Sequence, residues 1–180
     1  QADIVWQTLF AGVSSPISEA QVGVVTVMSA LELNPRSKDL KEFRDYHASV
    51  TPEDYVDLVF EKAGVGRVYM TNDPLDPLEG PVWELGFELD PRFRTVLRLD
   101  SALIGWPAPA STLRTKGYDV EDALTSKTFS ELRRYLDEWC DRMSAEYLAI
   151  SLPPDFAYPS DESISNLMGE VVYPVARERG

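Results

Sequence analysis

Val68-Tyr69-Met70-Thr71-Asn72-Asp73-Pro74-Leu75-Asp76-Pro77-Leu78-Glu79 and, a little further on, Phe93-Arg94-Thr95-Val96-Leu97-Arg98-Leu99-Asp100 decide how the chain is read. In each stretch a short apolar run passes at once into polar and charged groups. Buried parallel strands that end in functional loops have this pattern, because both faces of such a strand are covered while its end is wet. In barrels of alternating strands and helices, chemistry is done at the carboxyl ends of the strands. The two stretches therefore place Asn72, Asp73, Asp76, Arg98 and Asp100 as pocket candidates.

Working outward, Asp3 to Phe10 is a short amphipathic run, broken at Ser14-Ser15-Pro16. Ser18 is placed to cap a helix from Glu19 to about Leu33, and a more polar helix covers Lys38 to His47. Thr51-Pro52-Glu53-Asp54 is a helix start, with a capping Thr, a Pro suited to the first turn and acids at the positive dipole end. Tyr55, Val56, Val59, Phe60 and Ala63 make its apolar face, and Gly64 stops it. Val65 to Met70 is then a strand, and Thr95 to Leu97 the next one. Between them Glu79-Gly80-Pro81 reads as the start of a loop. Ile104 to Thr125, rich in Pro and Gly, reads as an irregular insertion with one short helix. Thr128-Phe129-Ser130-Glu131 matches a capping box, followed by Leu132, Tyr135, Leu136, Trp139 and Met143 at helical spacing. Tyr147 to Leu152 is a third strand, ending in Pro153-Pro154-Asp155-Phe156. A last helix covers Glu162 to Arg177, kinked at Pro174.

This alternation predicts an α/β fold with parallel strands and extra helices. Residues 1–50 form a helical region and 51–180 the strand–helix units, within one domain. A complete eight-stranded barrel needs about 250 residues, so 180 residues allow a partial barrel or a smaller open sheet.

Lys plus Arg number 17 against 30 Asp plus Glu, a net charge of −13. So acidic a surface repels phosphate backbones and anionic lipid, which argues against nucleic acid and membrane as partners. No apolar run approaches the length of a membrane span. The single cysteine, Cys140, cannot form an internal disulfide and excludes a CxxC site. It fits a reducing, cytoplasmic setting and reads as a packed, inert thiol beside Trp139. The chain starts at Gln1 and ends at Arg177-Glu178-Arg179-Gly180, as if cut from something longer.

His47 is the only histidine, so zinc held by this chain alone is not expected, and His47 reads as a surface or capping residue. No GxSxG elbow, Walker loop or GxGxxG is present. The run Asn72 to Asp76 admits two readings, a capped turn fixed by Pro74 or a strand end facing a pocket. Arg98 offers a planar fork for a carboxylate, or an ion pair with Asp100 or Asp73; the two are compatible. Arg94 lies at the wrong end of its strand. Asp155 lines the same pocket or caps the following turn. Trp83 and Trp106 lie in loops, where packing competes with a wall against a sugar ring.

Thr71-Asn72-Asp73-Pro74-Leu75-Asp76-Pro77-Leu78-Glu79 resembles the strand-end motif of uronate isomerases, Asp-Asp-Pro followed by a short apolar link, Asp and Leu. Leu97-Arg98-Leu99-Asp100-Ser101-Ala102-Leu103 resembles their Arg-Pro-Asp-Lys segment. Ser15-Pro16-Ile17-Ser18-Glu19-Ala20 and Ile150-Ser151-Leu152-Pro153-Pro154-Asp155-Phe156 are similar to a divergent, glucuronate isomerase-like branch. The chain departs at Asn72 for the first Asp, Leu99 for Pro and Ser101 for Lys.

The resemblance implies a middle segment of a (β/α)8 TIM barrel of the amidohydrolase superfamily. The implied activity is aldose–ketose isomerisation of a hexuronate, such as glucuronate to fructuronate. It implies Arg98 and Asp73 as substrate-binding residues. It also implies a divalent metal, zinc, held by a His-x-His pair and a late Asp that are not identifiable here; no catalytic residue is identifiable either, and the segment alone would be inactive. The alternatives are a metal-dependent hydrolase or decarboxylase of the same superfamily, and a non-catalytic sugar-acid binding or structural segment.

Overall fold

A computed structural model describes residues 1–8, 18–37 and 39–180. Leu9, Phe10, the break at Ser14 to Pro16 and the proposed helix start at Lys38 lie outside the described residues. Two compact units are present, Gln1–Gly66 and Arg67–Gly180.

The first unit is helical: α1 (Ala2–Trp6), α2 (Glu19–Ala30), α3 (Lys41–Ser49) and α4 (Pro52–Ala63). Ser18 caps α2 through a capping box with Gln21, an arrangement that satisfies two orphan backbone donors at once. Thr51 caps α4 by accepting from Asp54 N at 3.1 Å, and Gly64 closes it with φ 63°, a conformation only glycine adopts without cost. The apolar face expected for α4 exists but is not buried: no residue of α4 is buried, and Val59 is 41% exposed. Trp6 and Phe43 are the buried aromatic pair of this unit, edge to face at 5.0 Å.

The second unit carries the sheet. Its elements are β1 (Val68–Asn72), α5 (Glu79–Leu85), β2 (Phe93–Arg98), α6 (Asp100–Leu103), α7 (Ala108–Thr115), α8 (Ser126–Met143), β3 (Tyr147–Ala149), α9 (Glu162–Leu167), a π-helical stretch at Met168–Val172, and α10 (Tyr173–Arg179). The three strands lie in the order β1-β2-β3, all parallel, with Asn72 beside Leu97 and Arg98 beside Ala149. The expected α/β architecture with parallel strands and extra helices is therefore present, and it is the architecture of a segment of an α/β barrel. Side chains alternate across the strands. On one face Leu97 joins Leu132, Leu136, Trp139 and Leu167 in the core. Thr95, on the same face, is tied to the end of α8 by its hydroxyl, which donates to Met143 O at 2.5 Å. On the other face Tyr69 and Tyr147 meet at 5.8 Å and stay about half exposed, while Val96 is fully buried.

Several elements differ from the sequence reading for identifiable reasons. The strands differ in extent from the expectation: β1 starts later, with Val65 exposed ahead of it, β2 extends beyond Thr95 to Leu97 at both ends, and β3 ends at Ala149. Glu79-Gly80-Pro81 opens the helix α5 rather than a loop. Asp76 Oδ1 accepts from Leu78 N at 2.8 Å and Glu79 N at 3.0 Å, so it supplies the missing cap. Pro81 sits in the first turn, where its absent N–H costs nothing. Gly80 is required by close approach, since a Cβ there would lie 2.4 Å from Pro74 O.

Helix α8 begins a turn before the expected capping box. Thr125 is its cap, accepting from Thr128 N at 3.3 Å. Thr128 is fully buried; its hydroxyl donates to Ala123 O and accepts from Glu121 N. Near the C-terminus, Pro174 has no N–H to offer the carbonyl of Glu170, four residues earlier. The helix widens into the π-helical stretch just ahead of it, and the Glu170 carbonyl accepts from Arg133 Nε at 2.5 Å instead.

Candidate functional site

The carboxyl ends of β1 and β2 carry two neighbouring polar groups, Asn72, Asp73 and Glu79 after β1 and Arg98 with Asp100 after β2, with the charges of Asp73 and Glu79 acting on Arg98. Arg98 ends β2, and Asp100 opens α6 after one intervening residue. Arg98 Nε donates to Asp100 Oδ2 at 3.0 Å and Nη2 to Oδ1 at 3.4 Å. The same Oδ1 accepts the backbone N–H of Ser151 at 3.0 Å, which joins the end of β2 to the chain leaving β3. The Asp100 side chain is 19% exposed and that of Arg98 46%.

The electrostatics follow from this geometry. The Asp100 hydrogen bond and charge raise the Arg98 pKa, with further contributions from Asp73 and Glu79. For the Asp100 carboxyl, burial is the largest single influence and pushes its pKa up. The Arg98 hydrogen bond, the Ser151 N–H and the Arg98 charge together outweigh it and hold the pKa below the ordinary value.

Asp73 and Asp76 spend part of their capacity on local structure, as the turn reading expects. Asp73 Oδ1 accepts from Leu75 N at 2.9 Å, and Asp76 caps α5. The backbone hydrogen bonds from Glu79 and Leu78 lower the Asp76 pKa. Glu79, in a loop by sequence pattern alone, joins the residues at the end of β1: its Oε2 accepts from Asp73 N at 2.9 Å and Asn72 Nδ2 at 3.3 Å. The signal for it was Asp76 three residues before Glu79, an N-cap acid ahead of a first-turn acid. Asn72 Oδ1 and the hydroxyl of Tyr135 on α8 are buried without a hydrogen-bond partner.

The other sequence candidates have the following surroundings. Asp155 is exposed after β3 and has no hydrogen-bond or ion-pair partner among the described residues. Arg94, at the opposite end of β2 from Arg98, pairs with Glu146 at 3.3 Å. Trp83 is buried in the core against Phe87, and the partly buried Trp106 donates its indole N–H to Asp122 O at 3.0 Å. His47 is exposed in the last turn of α3, edge-on to Tyr46 and Tyr55. Cys140 is free and buried, and burial raises its pKa, which keeps it protonated and unreactive. Among the described residues no group of three or more His, Cys, Asp and Glu side chains could hold a metal ion. No helix among them is long and apolar enough to cross a membrane.

A parallel sheet with a polar cluster at the strand carboxyl ends is the pattern of α/β proteins that place their sites on the rim. Comparison with known proteins narrows the class. No protein-family model matches the chain, and no curated protein matches it. Among solved structures it is similar to the crystal structure of a uronate isomerase from Bacillus halodurans C-125, with a TM-score of 0.93 and 39% identity over 99% of this chain. The chain spans 42% of that protein's length. It is uronate isomerase-like in sequence and in fold over nearly its whole length.

Proposed function

We propose that the protein carrying this chain is an aldose–ketose isomerase acting on a hexuronate, interconverting glucuronate or a close relative with its keto form. The observation that carries this reading is the 39% identity, over nearly the whole chain, to a uronate isomerase of the same fold. The reaction moves a proton between adjacent carbons and needs a base and a partner for the developing enediolate charge. The substrate carboxylate lies at the other end of the sugar from those carbons, so its role is to be held.

Arg98 is suited to hold it. A guanidinium has five N–H donors in a rigid fork, and Asp100 engages the Nε side. The Nη1–Nη2 edge has no other partner among the described residues and matches a carboxylate bidentately. Asp73 shapes the neighbouring wall, with one carboxylate oxygen left over for a sugar hydroxyl. The base and a divalent metal such as zinc are assigned to other residues of the full-length protein; among the described residues no group of three or more His, Cys, Asp and Glu side chains could hold the metal. The 180-residue chain alone is accordingly inactive in this proposal.

The test is to incubate the full-length protein with D-glucuronate and follow the sugar by NMR. Appearance of the ketose is the expected result. Hydrolysis of amides or lactones, or decarboxylation, with no ketose formed would replace the isomerase by another reaction. Binding with no turnover of any of these would leave a sugar-acid binding protein.

A further inference from the structure

We infer that Asp100 is the positioning residue of the Arg98 anchor, locking the guanidinium in one plane and tying that plane to the chain leaving β3. The inference rests on the reading of Arg98 as the carboxylate-binding group. Three carboxylates influence this one cation: Asp100, Asp73 and Glu79. Asp100 alone is hydrogen-bonded to it, through Nε and Nη2, and so occupies the side of the fork that leaves the outer edge open. Released from Asp100, the guanidinium is free to turn its outer edge toward Asp73 or Glu79, which compete with an anionic ligand for the same donors.

Asp100 is itself held. Its Oδ1 accepts from Ser151 N at 3.0 Å, and the residue between it and Arg98, Leu99, is fully buried with its N–H on Ala149 O at 2.8 Å. A long arginine side chain ordinarily loses rotamer freedom when it binds. Here much of that ordering is present before the ligand arrives. Asp100 therefore touches no substrate in this scheme; it acts through Arg98.

A double-mutant cycle on the full-length protein tests this, with apparent dissociation constants for D-glucuronate measured by calorimetry. Asp100→Asn retains an acceptor for Ser151 N but removes the charge that holds Arg98. It is expected to weaken binding about tenfold, the scale of one charge-assisted hydrogen bond. In an Arg98→Ala background the same change is expected to do nothing beyond about twofold. An equal loss in both backgrounds would make Asp100 a structural residue and overturn the inference, as would no loss with Arg98 present. Failure of the underlying reading shows separately: Arg98→Ala would then bind D-glucuronate like the parent, and the inference falls with it. Should Asp100→Asn not fold, Asp100→Ser, which also removes the charge, is put through the same cycle with the same criteria.

Discussion

Helices α4 and α8 carry the same local signals and end with opposite burial. Each is capped by a threonine, Thr51 or Thr125, and each is closed by a left-handed residue, Gly64 or Ser144. Each has an apolar stripe at helical spacing. Yet α8 buries Leu132, Tyr135 and Leu136 completely, whereas α4 buries nothing. The difference lies in what faces the stripe. In its unit α8 has β2 and the π-helical stretch against it, with Thr95 and Arg133 stitching the contacts. Caps and periodicity specify that a helix forms; burial depends on a second surface that the helix's own sequence does not encode.

Stability measurements can break this contrast. The largest effect is expected from Leu136→Ala in α8, at about 2–5 kcal/mol for a cavity at a fully buried site. Val59→Ala in α4, at a position 41% exposed, should cost less than about 1 kcal/mol. Chemical denaturation of the full-length protein reads both, and comparable losses would show that the α4 stripe is covered after all.

The two glycines that open α5 and close α4 extend the contrast. Gly80→Ala drives a methyl to within 2.4 Å of the Pro74 carbonyl and should cost about 1–3 kcal/mol while loosening the turn that holds Asp73 and Glu79. Gly64→Ala meets open space and carries only the left-handed backbone cost, about 1 kcal/mol. Gly80→Ala should therefore also weaken glucuronate binding and Gly64→Ala should not; the reverse ranking by calorimetry would detach Gly80 from the site. On the scale of Gly64→Ala, Thr51→Ala and Thr125→Ala should each lose about 1 kcal/mol locally, read as faster hydrogen exchange in the first turn. Parity is expected there, because capping is local while burial is not.

The smallest effect concerns charge. Because the folded-state pKa of Asp100 is depressed, its contribution is present above the unfolded pKa and is lost as the pH falls through the lower folded value. Carboxyl NMR should show Asp100 titrating below the usual aspartate range. In Arg98→Ala its midpoint should rise, since burial then meets less opposition. An unchanged midpoint would mean that Arg98 is not what holds it down.

Much of the rim was legible in the sequence. The passage from Met70-Thr71 to Asn72-Asp73 and from Val96-Leu97 to Arg98 marks strand ends because apolar runs cannot continue into charge while buried. The Arg98–Asp100 pair was legible from its spacing. Glu79 was not, because Gly80 and Pro81 look like breakers when their surroundings are unknown. Gly80 is instead required by the neighbouring carbonyl, and Pro81 stands where no donor is needed. Thr128 imitates a cap because a buried hydroxyl satisfied by Ala123 and Glu121 leaves no trace in local pattern. The π-helical widening before Pro174 was legible only as a kink.

The central claim is that Arg98 presents its free edge to the carboxylate of a sugar acid. A crystal structure of the full-length protein with a hexuronate bound tests it most directly. The account predicts both carboxylate oxygens about 2.7–2.9 Å from Nη1 and Nη2 of Arg98, with Asp100 still on Nε. A hexuronate whose carboxylate is held by other residues, with Arg98 paired only to protein acids, would contradict it.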